Sequence, residues 1–231
     1  FCYPLKSKIF NSYYHSNKKK KCRLMKRVPF PSLVIDLKNS EDDIFARFKK
    51  NTRNEIRRSF REDVEFNIFP DTLKGLRLHS KYFKENNLGR VSIDRFVDSP
   101  NIIITTAKFN SLFLSIHVYI FSEDKDIFRL LFSSTLPQKY GVDSRIVGWA
   151  NKGLHWHDIK YAKDMKFAIY DLGGVPTGTN LEKKIERINQ FKRSFGGEDR
   201  VYYNYIGFAA YVLKYINQVI YKYKKYLRIG S

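Results

Sequence analysis

The sequence predicts an α+β protein with a central, mixed and mostly antiparallel sheet that is flanked by helices. Two observations support this prediction. Three β-rich segments follow one another with short polar turns between them, which is typical of an antiparallel meander. Before and after them, strand-like segments alternate with amphipathic ones, an order that packs helices on a sheet. With 231 residues, 43% of them hydrophobic, we expect a single domain with one core.

The first half of the chain contains two strand and helix pairs. Ser32–Leu37 is aliphatic and predicts the first strand. Ser40 precedes three acidic residues, as is typical of a helix start, and we expect that helix to continue to about Arg61. Val64–Phe69 then predicts a strand, and Asp71–Asn86 a second helix.

The second half begins with the meander and continues with alternating helices and strands. The meander strands are Ile102–Phe109, Ser111–Phe121 and Ile127–Ser133. After them we expect a helix from about Val147 to Met165, the strand Phe167–Leu172, a helix from about Leu181 to Phe195, and the strand Arg200–Tyr205.

The ends of the chain are basic, and the net charge is +20. We expect a basic segment at 1–31, a core at 32–206 and an amphipathic helix at 207–231 with an aromatic and a basic side. The charge predicts attraction to a polyanion: nucleotide phosphates, tRNA or an anionic membrane surface. A lysine-rich surface without a special role, and a final helix packed on the core or on a dimer partner, explain the same pattern.

The compartment that the sequence favours is the reducing cytoplasm, at the inner face of the membrane if the last helix binds lipid. Cys2 and Cys22 flank lysines and are expected to stay free thiols. A charge-free apolar run of about 20 residues, which would predict a membrane span, does not occur. The sequence starts at Phe1 and not at a Met, which leaves open whether residues precede it.

Residues 148–197 carry the unusual chemistry. A helix there contains His155, Trp156 and His157, and the next strand leads through Asp171 to a glycine pair, Gly173-Gly174. A second glycine pair follows Lys192 and ends a helix. In open α/β sheets the carboxyl ends of strands commonly build the site, so these residues are candidates for one.

The order of these motifs resembles the Fem-type branch of the GNAT-like N-acyltransferases, which includes peptidoglycan-bridge aminoacyltransferases and relatives associated with cell-surface polysaccharides. The matching segments are A-N-x-x-L-H-W-x-x-I-x-Y-A-K, Y-D-L-G-G and F-K-x-x-F-G-G, and upstream Asp36–Ser59. The resemblance covers about residues 33–203. It implies a GNAT-like fold, direct acyl transfer, and a cleft where the strands Ile127–Ser133 and Phe167–Leu172 splay apart. The length leaves room for one such core, whereas the bridge-forming enzymes look like two.

The resemblance also implies roles for individual residues. Asp171 would orient or deprotonate the acceptor amine, although a carboxylate there would also cap the glycine turn. Lys192 would lie near the reacting carbonyl or leaving group. His157 is the third catalytic candidate. Because His155 and His157 are two apart on a helix, about 200° around its axis, we expect at most one of them to be functional.

Candidate ligand contacts come from two basic patterns and from the motifs. Lys49, Arg53, Arg57 and Arg61 form a helical ridge that would hold phosphates of the acceptor. Arg145-x-x-Gly148-x-Ala150 fits the R-x-x-G-x-A pyrophosphate loop of acyl-CoA-using GNAT enzymes. The residues expected to contact substrate are Arg53, Arg57, Trp149, Asn151, His155, Trp156 and Gly173.

These observations predict an N-acyltransferase that modifies the amino group of a cell-envelope precursor, a nucleotide-linked or lipid-linked amino sugar. Acyl-CoA, an acyl carrier or aminoacyl-tRNA is the expected donor, and no metal is expected, because no His, Cys or Asp set has ligand spacing. The alternatives are a tRNA-dependent aminoacyltransferase acting on a peptidoglycan-type precursor and, in a different class, a non-catalytic RNA-binding protein.

Overall fold

The structure, a computed structural model, describes residues 13–16, 25–89, 93–97, 99–178 and 181–207, together with Val212 and Ile216. Most of the expected basic segment 1–31, with Cys2 and Cys22, and most of the expected C-terminal helix, 207–231, lie outside the described residues. The chain divides into two units. One is Ser32–Asp199, and the other combines Phe1–Pro31 with Arg200–Ser231.

The described elements follow the predicted order. The strands are β1 Tyr13–Ser16, β2 Met25–Asp36, β3 Glu65–Ile68, β4 Ile102–Phe109, β5 Leu112–Phe121, β6 Ile127–Thr135, β7 Ile169–Gly174 and β8 Glu198–Gly207. The helices are α1 Glu41–Ala46, α2 Lys50–Arg61, α3 Thr72–Glu85, α4 Asp94–Val97, α5 Ser144–Asp164 and α6 Lys183–Arg193, and a 3-10 turn spans Gln138–Tyr140.

In the unit Ser32–Asp199 the strands are ordered β2-β7-β6-β5-β4-β3. Neighbours are antiparallel except β6 and β7, which are parallel. A parallel pair needs a long crossover connection, and α5 supplies it. The predicted meander and the mixed, mostly antiparallel sheet are therefore confirmed. In the other unit β1 pairs antiparallel with β8, with Tyr13 opposite Ile206.

The middle strand β5 is buried on both faces. On one face, His79 of α3 contacts Phe132 and Ser134 of β6, which pair with β5. On the other face, α5 hydrogen-bonds to His117 and Tyr119 of β5. Because helices cover both faces, β5 has the nearly continuous apolar character of a fully buried strand.

The expectation of one helix from Ser40 to about Arg61 is wrong. Ser40 does begin a helix, since its side chain accepts a hydrogen bond from the Asp43 backbone N–H at 3.1 Å. That helix, α1, stops after six residues, however, and α2 begins only at Lys50. The interruption leaves the first turn of α2 as a separate helix N-terminus.

Phe48 and Arg53 explain the interruption. The Phe48 ring is buried against Trp156 and Phe195, with ring centroids 5.5 and 5.3 Å away. Arg53 then closes the gap, because its Nη1 donates to the carbonyls of Ala46 at 2.8 Å and Phe48 at 2.5 Å. Burial of one aromatic ring and two charge-assisted hydrogen bonds favour the break over a continuous helix.

Candidate functional site

The parallel strands β6 and β7 stay together for a short distance. Their last residue pair is Arg129 opposite Asp171. Beyond it, β6 continues beside β5 to Thr135, and β7 continues beside β2 to Gly174. The two strands therefore part after this pair, at the place where the resemblance predicts a cleft.

Asp171 lies within β7 and not at its end, and it is completely buried. Its Oδ1 accepts hydrogen bonds from the Ser32 hydroxyl and from the Gly173 N–H, the latter at 2.7 Å. Its Oδ2 accepts from Arg129 Nε at 2.7 Å. With both oxygens engaged, this carboxylate joins β2, β6 and β7 where the strands part, and its participation in chemistry stays a prediction.

The glycine pair forms the last residues of β7, not a separate turn after it as predicted. Gly173 has φ +79°, and a Cβ there would lie 2.9 Å from the Leu130 carbonyl oxygen, so only glycine fits. Lys192 of α6 reaches this point and donates from Nζ to the Gly174 carbonyl at 2.7 Å. Burial lowers the pKa of Lys192 to about 8, although Asp171 opposes the shift. The structure thus brings Lys192 and the glycine pair together.

A groove of about 560 Å³ lies between the first turn of α2, α5 and α6. We call it the basic groove; its lining residues are Lys49, Lys50, Asn51, Thr52, Glu55, Lys152, Gln190, Phe191 and Ser194. No side chain caps the start of α2, so its first N–H groups remain open to a ligand. A helix start with two exposed lysines favours an anion.

Thr52 and Lys152 add polar groups to the basic groove. Thr52 lines the basic groove and is 2% exposed. Lys152 of α5 is ion-paired with Glu55 of α2, and its Nζ lies 6.0 Å from the centre of the Phe191 ring. The groove therefore combines three lysines, one carboxylate and the hydroxyl of Thr52.

The residues of the predicted phosphate ridge do not all line the basic groove. Lys49 lines the basic groove, but Arg53 and Arg57 do not. The Nη1 of Arg53 binds backbone carbonyls at the helix interruption, and the Arg57 guanidinium lies 5.3 Å from the Phe45 ring centre. Sequence reasoning missed Thr52 and the other lysines of the groove, because the start of α2 was expected to be the middle of a helix.

The predicted pyrophosphate loop is helical. Arg145, Gly148 and Ala150 all lie in α5, which begins at Ser144. Arg145 is ion-paired at 2.6 Å with Asp143, which also caps this helix. Ala150 is fully buried, whereas Arg145 and Gly148 are exposed. The motif thus lies at the start of a helix, and its contact with a cofactor pyrophosphate stays a prediction.

The aromatic candidates on α5 lie in different surroundings. Trp156 is packed in the core against Phe45 and Phe48, with ring centroids 5.0 and 5.5 Å away. It thus contributes to packing, while its expected contact with substrate stays a prediction. Trp149 is only partly buried and lies under Arg58, whose guanidinium is 5.2 Å from the ring centre.

Polar residues of α5 and the sheet form a buried network. On α5, Asn151 accepts from the Ser115 hydroxyl at 2.8 Å and contacts His117 Nε2 at 2.9 Å. Asp158 lies 2.8 Å from His117 Nδ1 and 3.2 Å from His157 Nδ1. The network therefore links two faces of α5 through one buried carboxylate.

Tyrosines extend this network to His155. Tyr119 donates to Asp158 at 2.7 Å, and Tyr170 bridges Tyr119 and His155, at 2.7 and 2.8 Å. The rings of His155 and His157 both join one network through Asp158. The expectation that at most one of His155 and His157 is functional stays a prediction. The sheet residues of this network escaped sequence reasoning because their proximity arises only on folding.

Two kinds of feature are absent from the described part of the chain. Within those residues, no cluster of three His, Cys, Asp or Glu side chains is placed to hold a metal ion. Nor is any helix there both long and apolar enough to cross a membrane.

Comparisons with known proteins place this geometry in a fold family. No protein-family model matches the sequence, and no curated protein matches it. FemX has a TM-score of 0.62 and 11% identity, over 90% of this chain and 68% of that one. The DUF2156 domain of a putative lysylphosphatidylglycerol synthetase from Agrobacterium fabrum has a TM-score of 0.57 and 15% identity. The match covers 83% of this chain and 65% of that one. L-PGS from Bacillus licheniformis has a TM-score of 0.53 and 13% identity, and the match covers 80% of this chain and 62% of that one.

The chain thus spans less than two thirds of the length of the last two structures. At these identities the likeness shows the fold alone. The protein therefore shares the fold of FemX and of the DUF2156 domain.

Proposed function

We propose that this protein is an N-acyltransferase. It would transfer an acyl group from an activated donor, acyl-CoA or an acyl carrier, to the amino group of a phosphate-bearing cell-envelope precursor. A nucleotide-linked or lipid-linked amino sugar is the expected acceptor. The observation that carries the proposal is Lys192, held at the point where β6 and β7 part, on the helix that also lines the basic groove.

Amide formation needs a neutral amine near an activated carbonyl and positive charge near the oxygen that becomes negative. Lys192 can supply that charge as an ammonium group that donates to the developing oxyanion. Burial strengthens such a contact, because the same burial that lowers the pKa of Lys192 to about 8 also removes competing water.

The basic groove supports the phosphate-bearing acceptor. The first turn of α2 offers open N–H groups, Lys49 and Lys50 add charge, and the Thr52 hydroxyl can donate to a phosphate oxygen. One fold neighbour is named as a putative synthetase of lysylphosphatidylglycerol, a phosphate-bearing lipid. A cytoplasmic protein that meets such a precursor at the inner face of the membrane agrees with the net charge of +20.

The second candidate is a tRNA-dependent aminoacyltransferase. The net charge of +20 and the likeness to FemX favour it. Its activity would disappear after RNase treatment and fall steeply with salt, since each phosphate contact releases counterions. RNA binding without any transfer would instead favour the non-catalytic alternative.

The test is mass spectrometry of the purified protein incubated with acyl-CoA pools and UDP-amino sugars, with and without aminoacyl-tRNA. The expected result is an acylated amino sugar in the sample without aminoacyl-tRNA, also after RNase treatment. A product that requires tRNA would favour the second candidate, and no acylated product under any condition would contradict both.

The basic groove can be tested with a charge-matched control. Lys49→Gln together with Lys50→Gln should raise the KM for a phosphorylated acceptor roughly tenfold or more, since hydrogen bonds to charged groups contribute about 1.5–3 kcal/mol each. Lys81→Gln together with Lys84→Gln removes the same charge from exposed positions on α3 and should leave KM unchanged. Equal effects of the two pairs would mean that only overall charge matters.

A further inference from the structure

A chain of short hydrogen bonds crosses the interface between α5 and the sheet. His155 Nδ1 lies 2.8 Å from the Tyr170 hydroxyl, which lies 2.7 Å from the Tyr119 hydroxyl. Tyr119 lies 2.7 Å from Asp158 Oδ2. All four side chains are at most 1% exposed. We call these four residues the buried relay.

The direction of every hydrogen bond in the buried relay follows from its Asp158 end. Burial alone would raise the pKa of Asp158, but hydrogen bonds from His117 and His157 hold it at about 2. An ionised carboxylate only accepts, so Tyr119 donates its single hydroxyl hydrogen to Asp158. The hydrogen between the two tyrosines must then come from Tyr170.

The same reasoning reaches His155. Because Tyr170 has already used its hydrogen, the hydrogen between its oxygen and the imidazole belongs to His155 Nδ1. Burial, followed by the charge of His117, keeps the pKa of His155 well below its usual value, so the ring is neutral. A neutral imidazole with hydrogen on Nδ1 has a free lone pair on Nε2.

The His155 ring packs against residues of α6 and of the segment directly after it. Nδ1 points at Tyr170, so Nε2 points away from it, while the ring packs against Phe191 at 5.5 Å and Phe195 at 4.9 Å. Phe191 also lines the basic groove. Lys192, between these two rings in sequence, is close enough for its charge to act on His155. His155 therefore lies next to the groove-lining Phe191 and within electrostatic reach of Lys192.

The far end of the buried relay is held by His117. Its Nε2 faces the Asn151 oxygen, which already accepts from Ser115, and its Nδ1 faces Asp158. His117 and Tyr119 thus both contact Asp158 Oδ2, at 2.8 and 2.7 Å. This pairing explains how an ionised carboxylate persists at complete burial.

We propose that His155 accepts the proton released by the acceptor amine, and that Tyr170, Tyr119 and Asp158 are positioning residues that keep His155 in the tautomer able to do so. This inference rests on the proposed function. The amine nitrogen bonds to the acyl carbon, and the bond from that carbon to the leaving atom of the donor breaks. One amine hydrogen moves to His155 Nε2 and afterwards to the leaving group, a thiolate if the donor is a thioester.

The first experiment reads the proton order without any turnover. The full chain is labelled with ¹⁵N-histidine, and NMR identifies which nitrogen of each ring carries hydrogen. In the wild type we expect His155 protonated on Nδ1 only. Tyr119→Phe breaks the relay and should let the Nε2–H tautomer appear. Hydrogen on Nε2 in the wild type, or an unchanged tautomer in Tyr119→Phe, would overturn the inference.

Tyr82→Phe is the matched control. Tyr82 is another buried tyrosine, on the opposite face of the sheet, and its hydroxyl donates to the Phe113 carbonyl at 3.0 Å. Its removal costs a comparable hydrogen bond without touching the relay. The His155 tautomer should therefore be unchanged in Tyr82→Phe, and thermal unfolding of both variants reports any general loss of structure.

The second experiment compares rates in the acyl-transfer assay. Tyr119→Phe should lower kcat roughly tenfold or more with KM within about twofold, because proton transfer contributes roughly 10²–10⁴ in rate. Tyr82→Phe should keep the wild-type kcat, and equal kcat values for the two variants would overturn the inference. Expected tautomers without any acyl transfer would overturn the proposed function and leave the assigned proton order intact.

Discussion

Gly153→Ala is expected to destabilise the protein, although alanine is the better helix former. Gly153 lies where α5 packs closely on α2 and β3. A Cβ there would lie 2.2 Å from Ser59 Oγ, 2.5 Å from Phe66 Cζ and 3.0 Å from Ser59 Cβ. Ser59 is buried, and its hydroxyl donates to the Ile56 carbonyl at 2.7 Å, so it cannot turn away without losing that bond.

The magnitude follows from two opposing terms. Alanine in place of glycine inside a helix gains about 1 kcal/mol. Forcing an extra carbon into a packed interface costs about 1–3 kcal/mol, and two contacts below 3.0 Å place Gly153 at the upper end. We therefore expect a net loss of about 1–2 kcal/mol in the free energy of unfolding. For a chain of this size each kcal/mol lowers Tm by about 2–4 °C.

Gly148→Ala is the control on the same helix. A Cβ at Gly148 meets nothing within 4 Å, so only the propensity term applies and stability should rise by up to about 1 kcal/mol. Urea unfolding followed by circular dichroism measures both variants. Adding Ser59→Ala should recover part of the loss in Gly153→Ala. If Gly153→Ala is as stable as Gly148→Ala, the proposed close approach of α5 to α2 is incorrect.

Three further predictions concern ionisable groups. If the ammonium form of Lys192 is the active one, kcat should decline above about pH 8, where Lys192 loses its proton. Lys192→Arg should shift this decline to higher pH. An unchanged pH profile would exclude Lys192 as the group that donates to the oxyanion. Asp171→Asn should lower the free energy of unfolding by about 3 kcal/mol, because the buried Arg129 loses this carboxylate. The kcat per folded molecule should stay within a few-fold of the wild-type value. A stable variant with a much lower kcat would instead assign Asp171 to the chemistry. The lowered folded-state pKa of Asp158 contributes about 2 kcal/mol to the free energy of unfolding above pH 4, and this contribution is lost as pH falls through 2. In Asp158→Asn, the free energy of unfolding should therefore fall less steeply over this pH range than in the wild type.

The sequence alone determined the local structure of this protein. The meander of β4, β5 and β6 and the start of α1 at Ser40 depend on alternation, polar turns and an N-cap, all of which act between residues close in the chain. The resemblance to the Fem-type branch added the fold, and it selected Lys192 and the glycine pair, which the structure brings together.

Only the tertiary structure decided where the polar groups of the candidate site lie. Phe48 is buried in a pocket made by residues more than a hundred positions away, and its burial turns the middle of an expected helix into an N-terminus. Tyr119, Asp158 and Tyr170 belong to a strand, a helix and a second strand, and no spacing in the sequence connects them. Their hydrogen bonds form because folding removes water from all three at once, so that each buried polar atom must find its partner within the protein.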